Sequence, residues 1–329
     1  MVRKRTIAIH AILMVFVVWT LIPFLFVINN SFRTTSELER SFFGLPKSLG
    51  RMATFTLYEL TGKSDKIVIR TEVEGDNDWG SGGQTEMKTL EYGDSMRLLW
   101  QDLTSGYRLS WKDLRPYTLN TFFVCFITVC GVICLGSISA YIFSRYKFPG
   151  RSFLFVCVLS VMMIPQVLTL VPSFLLVKKM NLLNSYWVLI LPYVAGGQIF
   201  AIFLFKSFFD GLPQDLFDAA KIDGAGHFRL YWNVVLPLSK PIISVVAILN
   251  VLGTWNNFLW PFVTNTDPKY HVVASGVYVI GKVLEGTDTV TNLPAMYAAY
   301  VLSSIPLLIL FVYATKPFIQ GVSAGAFKA

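Results

Sequence analysis

Six long apolar stretches separated by polar segments dominate the pattern of this 329-residue chain. They cover residues 6–27, 119–143, 153–176, 187–208, 242–263 and 295–313. A helix rises about 1.5 Å per residue and the hydrocarbon core of a bilayer is about 30 Å thick, so about 20 apolar residues are enough to cross it. The pattern therefore predicts an all-α polytopic membrane protein with six transmembrane helices.

The longest polar segment, residues 31–115, lies between the first two predicted spans. Within it, residues 54–60, 67–73 and 85–92 alternate, contain β-branched side chains and are separated by glycine-rich runs, which is typical of short strands. We predict a small β meander, followed by a short helix near residues 95–104. Contact with partner proteins and an inert elaboration are both open as its role.

Composition and charge support a membrane protein and set its orientation. The chain is 54% hydrophobic and 15% charged. Twelve Lys and Arg residues lie in the termini and short loops on one side of the predicted spans, against four on the other. Because short basic loops stay in the cytoplasm, we predict a multi-pass protein of the plasma membrane with both termini and the 209–241 loop cytoplasmic. The net charge of +8 then reflects topology and does not indicate nucleic-acid binding.

Residues 211–241 form a polar segment between the fourth and fifth predicted spans. Pro213 is suited to open a short helix, and Asp215 and Asp218 suit its positive N-terminal end. Gly224 allows a chain reversal into a second short helix, which we expect to stop before Pro237. The pattern is therefore helix, glycine turn, helix.

This segment resembles the coupling loop of ABC importer permeases. The resemblance rests on Asp218-Ala219-Ala220, Asp223-Gly224-Ala225 and Leu236-Pro237, with Asp218 where the family usually has glutamate. It implies that these eight residues couple the chain to an ATP-binding subunit. The large side chains of the segment are expected to fill a groove on that subunit; they are Phe217, Ile222, Phe228 and Trp232. An ordinary amphipathic loop between membrane helices is the alternative.

Three further stretches, residues 140–151, 255–261 and 321–328, are similar to the maltose-type carbohydrate importers, and within that group to the second, six-helix permease of a heterodimer. The resemblance implies a type I ABC importer permease fold that transports carbohydrate by alternating access. It also implies a second permease, two ATP-binding subunits and an extracytoplasmic solute-binding protein as partners, within membrane lipid. The segment 31–115 would then dock the binding protein or pack against the second permease, and an inert elaboration is the alternative. ATP and magnesium would bind the partner ATPase subunits, and this chain would bind no cofactor.

The chain has no Gly-x-x-x-x-Gly-Lys-[Ser/Thr] phosphate-binding loop, so we expect a transport subunit and no ATPase. Its predicted parts are residues 1–30 with the first span, the extracytoplasmic insertion 31–115, the permease core 116–315 and the cytoplasmic tail 316–329. No metal site is predicted, because the three histidines are far apart and the four cysteines all lie in predicted spans, where they suit packing.

No acidic residue and no arginine falls within the predicted spans, which favours an uncharged solute. Uncharged polar groups do occur there and suit sugar hydroxyls. The candidates for the translocation path are Gln166, Tyr193, Gln198, Asn250, Thr254 and Asn257. Spacings of four and three residues place the last three on one face of the fifth helix. Hydrogen bonds between helices are the alternative use of each amide.

Four prolines and several tryptophans add to this picture. Pro165, Pro172, Pro192 and Pro306 are expected to loosen their helices beside a cavity or a neighbouring helix. Trp187 and Trp260 are predicted in an interfacial belt at the outer ends of their spans, whereas Tyr193 and Trp255 are candidates for stacking on a sugar.

The last outward loop, residues 265–294, carries Asp267, Lys269 and Asp288 on either side of an apolar stretch at 272–283. The resemblance implies that this loop meets the binding protein, so these three residues are candidate docking residues. The alternative is a re-entrant or interfacial segment that seals the mouth of the pathway.

Two rival classes and one variant are considered. A proton-coupled secondary transporter would use intramembrane acids, which the predicted spans lack. An intramembrane hydrolase would need a nucleophile with a base or a metal at depth, yet His10 is the only histidine in a span. An ABC permease for a non-sugar solute fits the coupling segment equally well.

Overall fold

The computed structural model describes residues 2–61, 67–73, 84–90, 92–286 and 293–326. The helices are α1 Val2–Ser31, α2 Thr35–Arg40, α3 Lys47–Leu60, α4 Tyr92–Arg145, α5 Arg151–Ser160, α6 Gln166–Lys179, α7 Trp187–Asp210, α8 Gln214–Ile222, α9 His227–Leu230, α10 Leu236–Leu238, α11 Lys240–Asn256, α12 Leu259–Thr264, α13 Val273–Gly286 and α14 Leu293–Ala326. The strands are β1 Ile67–Val73 and β2 Gln84–Leu90.

Four helices within the described ranges are long and apolar enough to cross a membrane unbroken: Ile9–Ser31, Gly93–Arg145, Trp187–Asp210 and Leu293–Thr315. Two further pairs meet the same criteria but are bent. Arg151–Met163 and Gln166–Lys179 meet at 97°, and His227–Leu238 and Lys240–Asn256 at 74°. Counting each bent pair as one span gives six, the number that the sequence predicts, and the all-α architecture is confirmed. The second pair differs in place from the predicted span 242–263, because His227–Leu238 lies before that span and the helix ends at Asn256.

The four prolines predicted to loosen helices behave differently. Pro165 lies at the 97° bend, where it precedes α6 with φ −61° and ψ 130°; it has no N–H to continue the helix that leads into it. Pro172 lies inside α6, Pro192 inside α7 and Pro306 inside α14. Of these four prolines, only Pro165 lies at a break in its span.

The segment between the first two spans contains less β-structure than predicted. Strands β1 and β2 pair antiparallel, in a register from Ile67 opposite Leu90 to Val73 opposite Gln84, which confirms two of the three predicted strands. The third is wrong, because residues 54–60 belong to α3. An alternating run of seven residues also fits a helix when the apolar spacing upstream has a period of about 3.6, as it has from Leu49 onward.

The short helix predicted near residues 95–104 is the beginning of α4, which runs for 54 residues without interruption. The chain divides into two compact units, Met1–Asp113 with Val279–Leu302, and Leu114–Tyr278 with Ser303–Ala329. The division into an insertion 31–115 and a core 116–315 stays a prediction.

In the first unit, a buried arginine organises the chain after α1. The Arg33 guanidinium donates to Asn30 Oδ1 at 2.9 Å, to the carbonyl of Phe42 at 3.1 Å and to the carbonyls of Glu37 and Ser41. The Glu37 carboxylate accepts from the backbone N–H of Lys47 at 3.2 Å. Because a buried charge is tolerated only when it is well hydrogen-bonded, this network fixes the turn between α1 and α3.

The second unit has two buried clusters. The first joins α4, α7 and residues 211–246, and includes Phe205, Phe209, Phe217, Leu230 and Val235. The second joins α4 and α7 with residues 260–272, and includes Val124, Val188, Leu189, Trp260 and Val272. These clusters fix the two regions in which the predicted functional residues lie.

Candidate functional site

The first half of the segment 211–241 folds as the sequence predicts. Helix α8 starts after Pro213, and Gly224 has a φ of +78°, a conformation that favours glycine. The second helix does not stop before Pro237: it continues to Leu238 through a wider π-helical turn at Tyr231–Val235. Proline has no N–H and crowds the carbonyl one turn back, and a π-turn is a common way to accommodate such an interruption.

The predicted coupling residues of this segment differ in burial. The eight predicted coupling residues include three that are partly buried against the first cluster, namely Ala220, Ala225 and Leu236. The other five are exposed: Asp218, Ala219, Asp223, Gly224 and Pro237. Their coupling role stays a prediction.

One of the four large side chains predicted to fill a partner's groove is not available for this. Phe217 is only 2% exposed and belongs to the chain's own core. In contrast, Ile222 is 87% exposed, Phe228 79% and Trp232 57%. The rings of Phe228 and Trp232 stack at 6.3 Å with an interplanar angle of 9°. Ile222, Phe228 and Trp232 are thus the exposed large apolar side chains of the four, and together they are called the coupling surface below.

Asp218 interacts within its own helix. Its Oδ1 accepts a hydrogen bond from Gln214 Nε2 at 3.0 Å and lies 3.8 Å from Lys221 Nζ. Both Asp218 and Lys221 have side chains about half exposed, at 56% and 52%, so the ion pair contributes little to stability. The carboxylate thus remains accessible at the surface.

A cavity of about 570 Å³ lies among α6, α7 and residues 257–260, a volume within the range of small-molecule sites. Three predicted path residues line it, Gln166, Tyr193 and Asn257. The lining also includes polar or aromatic side chains that lie outside the predicted path, and these are Thr169, Ser173 and Trp260. No general signal in the sequence marks them, because α6 and the 257–260 turn approach each other only in the fold.

The chemistry of this cavity is uncharged. The lining residues include no acidic or basic side chain. The Tyr193 hydroxyl is buried and has no hydrogen-bond partner among the described residues, whereas Asn257 Oδ1 accepts from the backbone N–H of Trp260 at 3.3 Å. A buried hydroxyl without a partner costs about 1–3 kcal/mol, so a ligand that reached this hydroxyl would gain by pairing with it.

The other three predicted path residues do not line the cavity. Gln198 Nε2 donates to the carbonyl of Gly131 at 3.3 Å and so links α7 to α4. Asn250 Nδ2 donates to the carbonyl of Val246 at 2.8 Å within α11, and Thr254 is 7% exposed. Helix α11 ends at Asn256, and Asn257 is its C-cap with φ −74° and ψ 110°. Of the three residues predicted to share a helix face, Asn250, Thr254 and Asn257, only Asn257 lines the cavity, so their common use in a path stays a prediction.

The tryptophans also differ from the prediction. Trp187 is 55% exposed at the start of α7, as expected for an interfacial residue. Trp260 is only 8% exposed and donates its indole N–H to the carbonyl of Val188 at 2.8 Å, so its assignment to a belt is wrong. Trp255 is 4% exposed and packs edge-on against Phe122, with ring centroids 5.3 Å apart.

The outward loop is braced at two points. Asn184, at φ 53°, accepts through Oδ1 from the backbone N–H groups of Thr266 at 2.7 Å and Asp267 at 3.0 Å. Asn120 Nδ2 donates to the carbonyl of Lys269 at 2.9 Å and to that of His271 at 2.8 Å. Asp267 and Lys269 are thereby held at the surface. The third docking candidate, Asp288, lies outside the described residues.

Most of the apolar stretch of this loop folds as α13, whose Val273 and Val277 are buried. His271 precedes it, is 4% exposed, lies edge-on to the Tyr117 ring and has Ser275 Oγ 3.3 Å from its Nδ1. Burial lowers the pKa of His271 because it disfavours the charged imidazolium, and the nearby Asp267 carboxylate partly opposes this effect. Binding-protein docking and sealing of the mouth both stay open for the loop.

No cluster of three or more His, Cys, Asp or Glu side chains occurs in the part of the chain that the structure describes. The four cysteines are free thiols. Cys125 is buried, as expected for a packing residue, whereas Cys130, Cys134 and Cys157 are exposed on the surface of the chain, so a packing role stays a prediction for those three.

Comparison of the sequence with known proteins identifies the family that it matches. The sequence model of the family described as binding-protein-dependent transport system inner membrane component matches residues 132–323, more than half of the chain. The chain is 30% identical over 323 residues to the diacetylchitobiose uptake system permease protein NgcG of Streptomyces coelicolor, covering 97% of this chain and 88% of that protein. An alignment of this extent includes the segment 31–115.

Two further likenesses complete the comparison. The arabinooligosaccharides transport system permease protein AraQ of Halalkalibacterium halodurans is 32% identical over 209 residues, or 64% of this chain and 72% of that protein. A crystal structure of a bacterial ABC transporter involved in the import of the acidic polysaccharide alginate shares the fold, with a TM-score of 0.65 at 18% identity. The match covers 95% of this chain and 96% of the other chain.

Proposed function

This chain belongs to the family of binding-protein-dependent transport system inner membrane components, the permease subunits of ABC importers, and on that premise we propose that it imports a neutral carbohydrate through the cavity between α6 and α7. The uncharged lining of that cavity, with the buried and unpaired Tyr193 hydroxyl, is the observation that carries the proposal. It agrees with relatives that are named for diacetylchitobiose and arabinooligosaccharides.

The chemistry of the lining matches a saccharide better than an ionic solute. Sugar hydroxyls both donate and accept hydrogen bonds, as do the Tyr193 hydroxyl and the Gln166 and Asn257 amides. A charged solute would need a paired charge to compensate its desolvation, and the lining supplies none. Apolar and aromatic neighbours such as Leu170 and Trp260 suit the C–H faces of a sugar ring.

Energy would enter through the segment 211–241. In this proposal both termini and this segment face the cytoplasm, and the coupling surface of Ile222, Phe228 and Trp232 binds one of two ATP-binding subunits, which hold ATP and Mg²⁺. Exposed apolar side chains of this size are typical of an interface. The chain itself hydrolyses no ATP. A second permease completes the pathway, and a solute-binding protein delivers the sugar from outside.

The test is transport by the complete complex. The chain is purified with the subunits that assemble with it, reconstituted in proteoliposomes with its solute-binding protein, and offered neutral oligosaccharides or charged solutes such as phosphate and amino acids. We expect ATP-dependent uptake of a neutral oligosaccharide. Uptake of charged solutes alone, or uptake without ATP, would contradict the proposal.

A single-atom change tests the cavity. Tyr193→Phe removes the unpaired hydroxyl, so we expect a higher KM for saccharide uptake, by roughly fivefold for the loss of one hydrogen bond of about 1 kcal/mol, with little change in basal ATPase activity. Tyr313→Phe is the matched control, since Tyr313 is 80% exposed on α14. An unchanged KM in Tyr193→Phe would remove this cavity from the pathway.

A further inference from the structure

The C-terminal residue of α4 is joined directly to the segment 211–241. The Arg145 guanidinium donates through Nη2 to the carbonyl of Phe209 at 2.5 Å and to that of Leu212 at 3.1 Å. Through Nη1 it donates to Gln214 Oε1 at 3.0 Å. Its central carbon lies 3.8 Å from the centroid of the Phe217 ring. One side chain therefore contacts the end of α7, the turn that follows it, and two residues of α8.

Each of these contacts has a physical reason to be strong. The last carbonyls of a helix have no partner inside the helix, and they carry partial negative charge, so a guanidinium is well placed to bind them. Phe217 is 2% exposed, and a cation is bound more strongly over a ring that is shielded from water than over an exposed ring. The guanidinium thus joins a polar helix end to an apolar core residue.

A second contact strengthens the same junction. Asp210, the last residue of α7, accepts from Ser144 Oγ at 2.6 Å and forms an ion pair with Lys206 at 2.6 Å. Beyond Arg145, Gln214 Nε2 donates to Asp218 Oδ1 at 3.0 Å. A chain of polar contacts therefore runs from the end of α4 through Gln214 to the exposed carboxylate of α8.

The contact of α4 with α9 is of a different kind. His227 stacks on Tyr146 with ring centroids 4.2 Å apart, and the Tyr141 hydroxyl lies 3.3 Å from His227 Nδ1. His227 and Tyr146 are both exposed, so water competes for these contacts. Arg145 is the side chain that holds α8 itself to α4.

We propose that Arg145 is a positioning residue that transmits displacement of α8 to the long helix α4. The proposal rests on the coupling role proposed above for this segment. When an ATP-binding subunit moves α8, the guanidinium makes α4 follow, because it is bonded to both. Without it, α8 keeps the apolar packing of Phe217 and Ala220 in the first buried cluster, which allows sliding. Its other links to α4 are indirect, through Asp210 at the end of α7 and through His227 of α9.

Arg145→Lys is the most informative substitution. Lysine keeps the positive charge, but its single ammonium group cannot bind two carbonyls and an amide oxygen while lying flat on a ring. Arg151→Lys is the matched control. Arg151 begins α5 on the other side of the same turn, and among the described residues its guanidinium donates only to the carbonyl of Tyr146, at 3.2 Å.

The first measurement is the ratio of solute imported to ATP hydrolysed by the reconstituted complex. For Arg145→Lys we expect this ratio to fall about tenfold, the range in which coupling between sites lies, with ATPase activity and assembly retained. Arg151→Lys should keep the ratio of the original protein. A normal ratio in Arg145→Lys would overturn the proposal.

The second measurement does not depend on the cargo. Hydrogen–deuterium exchange of the α8 amides in the purified complex should accelerate in Arg145→Lys and not in Arg151→Lys, with the melting temperature of the complex unchanged. Unchanged α8 exchange would overturn the link even if the complex transports another solute, so failure of the carbohydrate proposal and failure of this one are distinguishable.

A second variant tests the proposal if Arg145→Lys does not assemble. Gln214→Met keeps the length of the side chain but removes its bonds to Arg145 and Asp218. If Arg145→Lys does not assemble, Gln214→Met should still show faster α8 exchange and a lower ratio of solute to ATP. Values equal to those of the original protein would overturn the proposal.

Discussion

Trp260 donates its indole N–H to the carbonyl of Val188, at 2.8 Å, and this is the carbonyl that Pro192 leaves without a helical donor. In α7 the partner of the Val188 carbonyl would be the N–H four residues later, and residue 192 is a proline, which has none. A side chain distant in sequence therefore completes a helix that its own sequence interrupts. The same indole lines the cavity.

Trp260→Phe is expected to destabilise the protein. The substitution keeps an aromatic ring but leaves the buried Val188 carbonyl unpaired, which costs about 1–3 kcal/mol. Thermal unfolding of the purified complex in detergent measures the effect. Trp187→Phe, at a position that is 55% exposed, is the control and should unfold as the original protein does. Equal melting temperatures for the two variants would show that the indole hydrogen bond contributes nothing.

Gly224→Ala is expected to impair coupling more than Gly226→Ala. The φ of Gly224 is +78°, where a Cβ costs roughly 1–2 kcal/mol, so the turn and the coupling surface beyond it would shift. Gly226 has φ −71° and ψ 168° and open space around it, so alanine fits there. ATP-driven uptake is the measurement, and equal uptake by both variants would contradict the role of the turn.

A stronger combination, Asp223→Lys with Gly224→Val, is expected to abolish coupling while insertion into the membrane continues. It reverses an exposed charge and forces a β-branched residue into the left-handed turn. Membrane fractionation tests insertion, and ATP-driven uptake tests coupling. Undiminished uptake by the double variant would argue strongly against the assignment of residues 211–241 as the coupling segment.

Gly197→Ala is expected to separate α7 from α11. A Cβ at Gly197 would lie 2.6 Å from Asn250 Oδ1 and 2.7 Å from Val132 Cγ2, so packed helices must move apart at a cost of about 1–3 kcal/mol. Gly253→Ala in α11 is the control, because nothing lies within 4 Å of its added carbon. Melting temperatures distinguish the two, and a stable Gly197→Ala protein would show that the helices adjust freely.

Acid pH is expected to weaken the outward loop through His271. Burial lowers the pKa of His271 below its ordinary value of 6.5, so below that pH the unfolded chain takes up a proton that the folded chain excludes. The free energy of unfolding should therefore decrease as the pH falls below 6.5 and level off once the folded pKa is passed. Asp267, Tyr117 and Ser275 are the polar groups near the imidazole.

His271→Gln keeps a polar side chain that does not titrate. Melting temperatures of the complex between about pH 8 and about pH 5 should fall less steeply for this variant than for the original protein. If the melting temperatures of the variant and of the original protein fall equally with pH, the pH dependence comes from other groups.

The local features of the coupling segment could be predicted because they depend on neighbours in sequence. Pro213 opens a helix through its fixed φ, and Gly224 reverses the chain through its missing Cβ. The fate of Phe217 could not be predicted in this way. Its spacing on α8 is compatible with either face, and only the approach of Arg145 and the first buried cluster directs it inward.

The candidate cavity was predictable only in part. Tyr193 and Asn257 were selected for their chemistry, yet Asn250 was selected for the same reason and instead bonds within its own helix. Amide and hydroxyl groups suit both a ligand and a neighbouring helix, so residue type alone does not distinguish the two uses.

The sequence by itself determined the membrane class, the six apolar segments and the helix–glycine–helix order of residues 211–241, because hydrophobic length and turn preferences act over a few neighbouring residues. Only the tertiary structure decided which polar groups converge on the cavity, that Trp260 completes α7 and that Arg145 holds α8. Those contacts join residues tens of positions apart, and their geometry depends on how the helices pack, which local patterns do not encode.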